Sequence, residues 1–267
     1  MIYFKYFIYG LIQGFTEFLP ISSTAHLKVL SDIFGINDPG SSLSAILQLG
    51  SVLAVIYYFR KDIYSSINSR KNFYKNFILE SKLIKSLFIG SISILLLGGI
   101  VKIFVPYFSE SILRTNYSIA TLSILMAILM LIADKSKQKQ ITLINHKFID
   151  SLKIGLGQSL AIVPGVSRSG ITMSIALLLG WEKREAAKFS LLLGVPAISI
   201  AAVVELIDSL NKNTNIPFGP LLLALTTTFL VSLFSMDFLL RFITLKGLNL
   251  FAYYRITFGT MIFLSYF

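Results

Sequence analysis

Apolar runs along this chain fall into two classes, and the broken ones come in pairs. Residues 43–59, 84–105, 117–133, 189–206, 218–240 and 249–266 each approach the ~20 apolar residues that a bilayer-spanning helix needs. Residues 2–19 are apolar except for Lys5, Gln13, Thr16 and Glu17, and they stop at Pro20; residues 21–34 then restart with Ser22, Ser23, Thr24 and His26. The same grammar returns at 154–163 and 171–180, separated by Pro164-Gly165-Val166-Ser167-Arg168-Ser169-Gly170. Proline has no N–H to donate and glycine tolerates positive φ, so Pro164 and Gly165 stop the incoming helix. The pattern predicts an all-α polytopic membrane protein with six transmembrane helices and two re-entrant, broken helical hairpins.

Charge placement orients these elements. Of the 24 Lys and Arg, seventeen fall in 60–85, 135–153, 183–188 and 241–246, and four (Lys5, Lys28, Arg114, Lys212) fall on the other side. Basic loops stay cytoplasmic, so both termini are expected outside. The first hairpin then enters from the outer face and the second from the cytoplasmic face. That arrangement is an inverted-topology repeat within one membrane domain, 1–267, with halves of about 1–133 and 150–267. A shift of 144 residues superposes Pro20 on Pro164, Ser23 on Ser167 and Gly50 on Gly194. Paired broken helices in two inverted halves mark a binding site near the membrane midplane.

Composition narrows the chemistry. The chain is 55% hydrophobic and 14% charged, well below the quarter usual for a soluble domain. It has no cysteine, which removes disulfides, thiolate nucleophiles and Cys-ligated metals, and only two histidines, His26 and His146, which argues against a multi-histidine zinc site. A net charge of +11 would suit nucleic acid, but in a membrane chain it reports loop topology, so no nucleic-acid partner is expected. The apolar N-terminus lacks a leading basic cluster and carries Glu17, which reads as mature sequence, not a cleaved signal.

Candidate chemistry sits at the two breaks. Gln13 and Glu17 are four apart and share a helix face, as do Ser22 and His26 beyond Pro20; Ser23 lies three before His26. A carboxylate, hydroxyls and an imidazole at one break can bind a metal and activate a nucleophile. The plainer reading is that Gln13 and the serines only satisfy backbone groups freed by the break. It fails for Glu17, since an ionised carboxylate at membrane depth needs a cation beside it. In the second break, Ser167, Arg168, Ser169 and Thr172 offer a guanidinium fork and hydroxyls at a new helix N-terminus, suited to phosphate oxygens. No Gly-Lys-Ser/Thr follows, so this is no P-loop, and Gly-Val-Ser-Arg-Ser is no hydrolase elbow. A simple ion pair from Arg168 to Glu17 is compatible with such a site. Arg255, after Tyr253-Tyr254, is either a further phosphate contact or a counter-ion. Asp237 and Arg241 are expected to pair, and Lys102 and Glu205 to reach the outer surface.

Two long motifs, Gln13-Gly14-Phe15-Thr16-Glu17-Phe18-Leu19-Pro20-Ile21-Ser22-Ser23-Thr24-Ala25-His26 and Pro164 through Thr172, resemble the bacterial undecaprenyl-diphosphatases of the bacitracin-resistance type. Gln48-Leu49-Gly50, Phe189-Ser190 with Pro196, and Tyr254-Arg255 spread the resemblance over nearly the whole chain. The family has glutamate or glutamine at the position of Gln13; glutamine here leaves Glu17 as the sole carboxylate of that motif. The resemblance implies hydrolysis of undecaprenyl diphosphate to the monophosphate carrier of cell-wall synthesis, in the bacterial plasma membrane. It implies a divalent cation, Mg²⁺ or Ca²⁺, near Glu17 and Gln13, and a site opening to the extracytoplasmic side. Bacitracin then competes by binding the substrate, and a homodimer is compatible with the family.

On that reading Glu17, Ser23, His26 and Arg168 are catalytic. Ser23 is the nucleophile with His26 as its base, or water attacks directly. Ser22, Ser167, Arg168, Ser169, Thr172 and Arg255 hold phosphate. The rival class is a transporter or flippase for a phosphate-bearing anion or lipid, which broken helices in inverted repeats also serve. It has little use for the Glu17, Ser23 and His26 set.

Overall fold

The computed structural model describes residues 1–33, 35, 40–61, 73–104, 112–137, 139–211 and 216–265. Parts of the basic 60–85 loop, the 105–111 connection and Lys212 lie outside them. Among the described residues the regular structure is helical, apart from one isolated bridge between Ile141 and Trp181. The helices are α1 (Ile2–Thr16), α2 (Ser23–Ile33), α3 (Gly40–Tyr58), α4 (Phe73–Phe104), α5 (Asn116–Asp134), α6 (Phe148–Gln158), α7 (Arg168–Leu179), α8 (Lys183–Asn211), α9 (Phe218–Lys246) and α10 (Asn249–Ser265).

Among the described residues four segments are long and apolar enough to cross a membrane: Lys82–Phe104, Asn116–Asp134, Lys183–Ser209 and Phe218–Lys246. Two expected spans fall short of that length, the apolar part of α3 (Leu43–Tyr58) and the 17-residue α10. Exposed Leu, Ile and Phe line the flanks of these helices, as a lipid-facing surface requires. The chain is a multi-pass membrane protein.

Both breaks form, with boundaries that differ from the sequence reading. α6 starts at Phe148, inside the stretch read as a polar loop, because Asp150 accepts the Lys147 N–H at 2.9 Å and caps the helix there. It stops at Gln158, passes through a 3-10 turn (Ser159–Ile162) and is extended at Val163 (φ −78°, ψ 120°). The residue before a proline avoids the α region, so the helix ends ahead of Pro164. α7 begins at Arg168, three residues earlier than the apolar pattern suggests.

Lipid gives helices no hydrophobic reason to associate, so close packing of small residues and hydrogen bonds must hold them. α1 lies along α9 at such a seam. A Cβ on Gly14 would sit 2.8 Å from both Thr228 O and Val231 Cβ, so only glycine allows this approach. The seam is stitched by the Ser232 hydroxyl donating to Gly14 O (3.4 Å) and the Thr228 hydroxyl donating to Gly10 O (3.4 Å), while the Ser51–Ser232 hydroxyl pair (3.1 Å) ties α3 to α9. α3 packs on α8 and α9, α5 on α10, and α7 fits between α5, α6 and α8. Lys102 pairs with Glu205 (3.1 Å) and Asp208 (2.6 Å), and Arg241 pairs with Asp237 (2.8 Å).

The connection before α6 folds back on the bundle through His146. Its Nδ1 is 2.9 Å from Leu143 O and its Nε2 2.7 Å from Ser86 Oγ, beneath the rings of Trp181 and Phe189. Burial, reinforced by the charge of Lys82, pushes the His146 pKa down. The unfolded chain therefore binds more protons in acid, and the contribution to stability, complete above about pH 6.5, is lost as pH falls through the lower folded value.

Two outcomes follow from this packing. Gly14→Val should lower stability by about 1–3 kcal/mol through overpacking against α9, seen as a lower melting temperature in detergent. Between about pH 7.5 and 5 the wild-type melting temperature should fall more steeply than that of His146→Gln, which keeps a donor and an acceptor but does not titrate.

Candidate active site

Glu17 follows α1 at the first break and is 7% exposed. One turn back, Gln13 donates its Nε2–H to Glu17 Oε2 at 2.7 Å. From the first residue of α2, the Ser23 hydroxyl donates to the same oxygen at 2.8 Å. From the other break, Arg168 Nη2 donates to Glu17 Oε1 at 3.1 Å. Three donors on one carboxylate offset much of the cost of burying it, and the guanidinium supplies the opposite charge. Arg168 Nη1 donates to Ser190 O at 3.2 Å on α8. A Cβ on Gly194 would collide with that guanidinium, so glycine makes room for it.

Two buried atoms here have no partner: Arg168 Nε, a donor, and Gln13 Oε1, an acceptor. Buried polar atoms are nearly always paired, and those left over mark where a ligand belongs. An anionic oxygen satisfies the first and a cation the second. Among the described residues no group of three or more His, Asp or Glu gathers around a metal position.

Both breaks turn through a serine with positive φ, Ser22 (75°) and Ser167 (71°). Non-glycine residues held there cost about 1–3 kcal/mol each and cluster at functional sites. Ser167 caps α7, its Oγ accepting the Gly170 N–H at 3.2 Å. Ser167 Oγ lies 3.3 Å from Ser169 Oγ, as Ser22 Oγ lies 3.2 Å from Thr24 Oγ1.

The other expected residues have partners within the protein. Arg255 is fully buried and touches no carboxylate: it donates to Ser123 O (3.2 Å), Leu122 O (3.4 Å), Pro20 O (3.4 Å) and Gly165 O (2.6 Å). With four of its five N–H donors on carbonyls it braces the two breaks and α5. Ser169 gives its hydroxyl proton to Leu19 O at 3.0 Å, tying one break to the other. Thr172 donates to Arg168 O (2.8 Å) and meets Ser190 Oγ at 2.6 Å. His26 does not touch Ser23; its nitrogens meet Ser22 O (2.8 Å) and the Tyr254 hydroxyl (2.7 Å). The roles of Ser190, Gly194 and Tyr254 were not legible from the chain, although a glycine two residues before an intramembrane proline hinted at α8.

A buried carboxylate that holds a serine hydroxyl and an arginine across two helix breaks can be compared with known proteins. The family model for bacitracin resistance protein BacA matches residues 6–261. The chain belongs to this family. An undecaprenyl-diphosphatase of Prochlorococcus marinus (strain MIT 9312) is 58% identical over 264 residues, 98% of each chain. That of strain MIT 9515 is 55% identical over 265 residues, covering 99% of this chain and all of the relative. That of strain NATL1A is 43% identical, covering 97% and 94%.

Arg255→Gln should leave several carbonyls of the breaks unpaired and cost roughly 2–5 kcal/mol, read as a lower melting temperature in detergent. Thr172→Val, by contrast, should reduce stability while leaving the KM for a phosphorylated substrate within about two-fold, since its hydroxyl ties α7 to α8.

Proposed function

We propose that this chain is an integral-membrane phosphatase that hydrolyses undecaprenyl diphosphate to undecaprenyl phosphate and inorganic phosphate, recycling the lipid carrier of cell-wall synthesis. The observation that carries this reading is the buried Ser23–Glu17–Arg168 contact, with an unpartnered Arg168 donor beside it. Family membership and relatives named undecaprenyl-diphosphatase supply the substrate.

Arg168 binds the terminal phosphate through the donors that Glu17 and Ser190 do not hold, and concentrates positive charge where the transition state gathers negative charge. Ser23 Oγ attacks phosphorus, its proton passes to Glu17, and the P–O bond to undecaprenyl phosphate breaks. Water then cleaves the phosphoserine, releases inorganic phosphate and restores the hydroxyl. Phosphoryl transfer runs through a loose transition state, so a carboxylate that is a weak base is sufficient for a late proton transfer. A divalent cation, Mg²⁺ or Ca²⁺, fits as far as two protein oxygens, Glu17 and the free Gln13 Oε1. Such ions are commonly held by one carboxylate plus substrate phosphates and water. When bound, it neutralises phosphate charge. Bacitracin would act by sequestering the substrate, and a homodimer would leave this chemistry unchanged.

We also read the two halves as an inverted repeat with re-entrant hairpins. What supports it is a shift of 145 at the breaks, where the sequence comparison had used 144. That shift pairs Gln13 with Gln158, Ser22 with Ser167 and the Arg255-bound carbonyls of Pro20 and Gly165. The packing of α1 on α9 is matched by α6 on α4, and α3 on α9 by α8 on α4. The charge count supports termini outside, and the family resemblance implies a site opening outward.

Purified protein should release phosphate from a prenyl diphosphate in a cation-dependent way, and Arg168→Ala and Glu17→Gln should each lower kcat by at least ~10²–10³. Full activity in either variant would sink the site. Ser23→Ala should be inactive; retained turnover would point to direct attack by water. Because the chain has no cysteine, single cysteines at Lys5 and Lys137 report topology directly. In intact cells an impermeant maleimide should label the first and not the second.

A further inference from the structure

We infer that His26 and Tyr254 are positioning residues for Ser23, not an acid–base pair: they clamp the left-handed peptide at Ser22 from which Ser23 is aimed at Glu17. The inference rests on the role given to Ser23 and Glu17 above and deepens it.

The imidazole is 3% exposed and lies flat on Phe258, with centroids 4.3 Å apart and planes 4° apart, next to the Tyr254 ring at 5.6 Å. Its Nδ1 is 2.8 Å from Ser22 O, and a carbonyl only accepts, so the proton is on Nδ1. The Nε2 lone pair is therefore left for the Tyr254 hydroxyl, which donates at 2.7 Å. Neither nitrogen is free to take a proton from Ser23, whose hydroxyl is held by Glu17 at 2.8 Å.

What the ring does hold is Ser22. The Ser22 carbonyl takes the imidazole N–H and also the His26 backbone N–H at 3.3 Å, so both donors come from one residue. Ser22 has φ 75°, a conformation that persists only where its surroundings over-determine it. The other break supplies a control within the same molecule. Ser167 adopts φ 71° with Ile171, not histidine, four residues on. There the backbone Ile171 N–H reaches Ser167 O at 3.0 Å and the serine hydroxyl caps Gly170, whereas Ser22 Oγ is turned to Thr24. The break that carries the nucleophile lacks this serine cap, and a histidine fixed by a tyrosine stands in its place.

The test uses full-length protein with ¹⁵N-labelled histidine. Only two histidines contribute signals, and His146→Gln assigns them. The expected spectrum shows His26 as the neutral Nδ1–H tautomer, with its Nε2 signal moved by Tyr254→Phe, a change that keeps the ring stack. In turnover, His26→Asn keeps a donor for Ser22 O and should retain kcat within about ten-fold of wild type, whereas His26→Ala should lose about 10² or more. Tyr254→Phe should lower kcat about ten-fold with KM within about two-fold, a split that mere loss of folded protein does not produce. A folded His26→Asn as inactive as His26→Ala, or an Nε2–H tautomer in the wild type, overturns the proposal. Absence of phosphate release by the wild type would fail the phosphatase reading instead, while the tautomer is decided by the spectrum without turnover.

Discussion

A helix broken inside apolar surroundings leaves carbonyls and N–H groups with no water to satisfy them, and each one left bare costs several kcal/mol. Here two such breaks lie against each other, and much of the architecture can be understood as the means of satisfying them. Arg255 does the largest part. One guanidinium reaches the Pro20 carbonyl in the first break, the Gly165 carbonyl in the second and two carbonyls of α5. Ser169 adds a bond to Leu19 O, and the Ser167 hydroxyl caps α7. An arginine suits this task because its planar fork presents five donors at fixed angles and keeps its charge. α10, too short to match the longest spans, is held against α5 with Arg255 at the centre of that contact.

Once the breaks are braced, charge can be placed between them. Glu17 and Arg168 face each other from different halves of the chain, and each is further held by a neighbour, Gln13 and Ser23 on one side, Ser190 on the other. A buried ion pair of this kind is weak evidence for stability, because desolvation consumes most of the attraction. Its value is preorganisation. The arginine is already largely desolvated and aimed, with its Nε–H unused, so an anion arriving there would meet fixed charge and little reorganisation. Gly194 shows how far the packing is adapted to this: α8 gives up a side chain so that the guanidinium can lie on its backbone.

The helical class, the two breaks and the core of the site were legible in the chain because each rests on local chemistry. Proline and glycine stop helices wherever they stand, apolar runs of spanning length report a bilayer, and Glu17 and Arg168 are too costly at depth to be incidental. An ion pair between them was one of the readings the sequence allowed, and the structure has it. What the chain did not show were the contacts that depend on a distant partner. Arg255, Ser169 and Thr172 carry the groups that phosphate ligands carry, and nothing in their own neighbourhood shows that Arg255 reaches the carbonyls of Pro20 and Gly165, Ser169 that of Leu19, and Thr172 the Ser190 hydroxyl. A similar contrast separates the two breaks: Pro20 and Pro164 align by identity at a shift of 144, whereas Ser22 and Ser167 share a positive φ at a shift of 145.

The sequence by itself determined that this is a membrane protein, where its helices break and which few polar side chains lie at depth, because bilayer solvation acts on each residue separately. Only the tertiary structure decided which of those side chains meet one another and which are held by the backbone. Hydrogen-bond donors are directional and can be spent once, and their partners here lie up to 235 positions away along the chain. His26 is the clearest case: its place beside Ser23 in sequence suggested a base, and its orientation between Ser22 and Tyr254 turned it away.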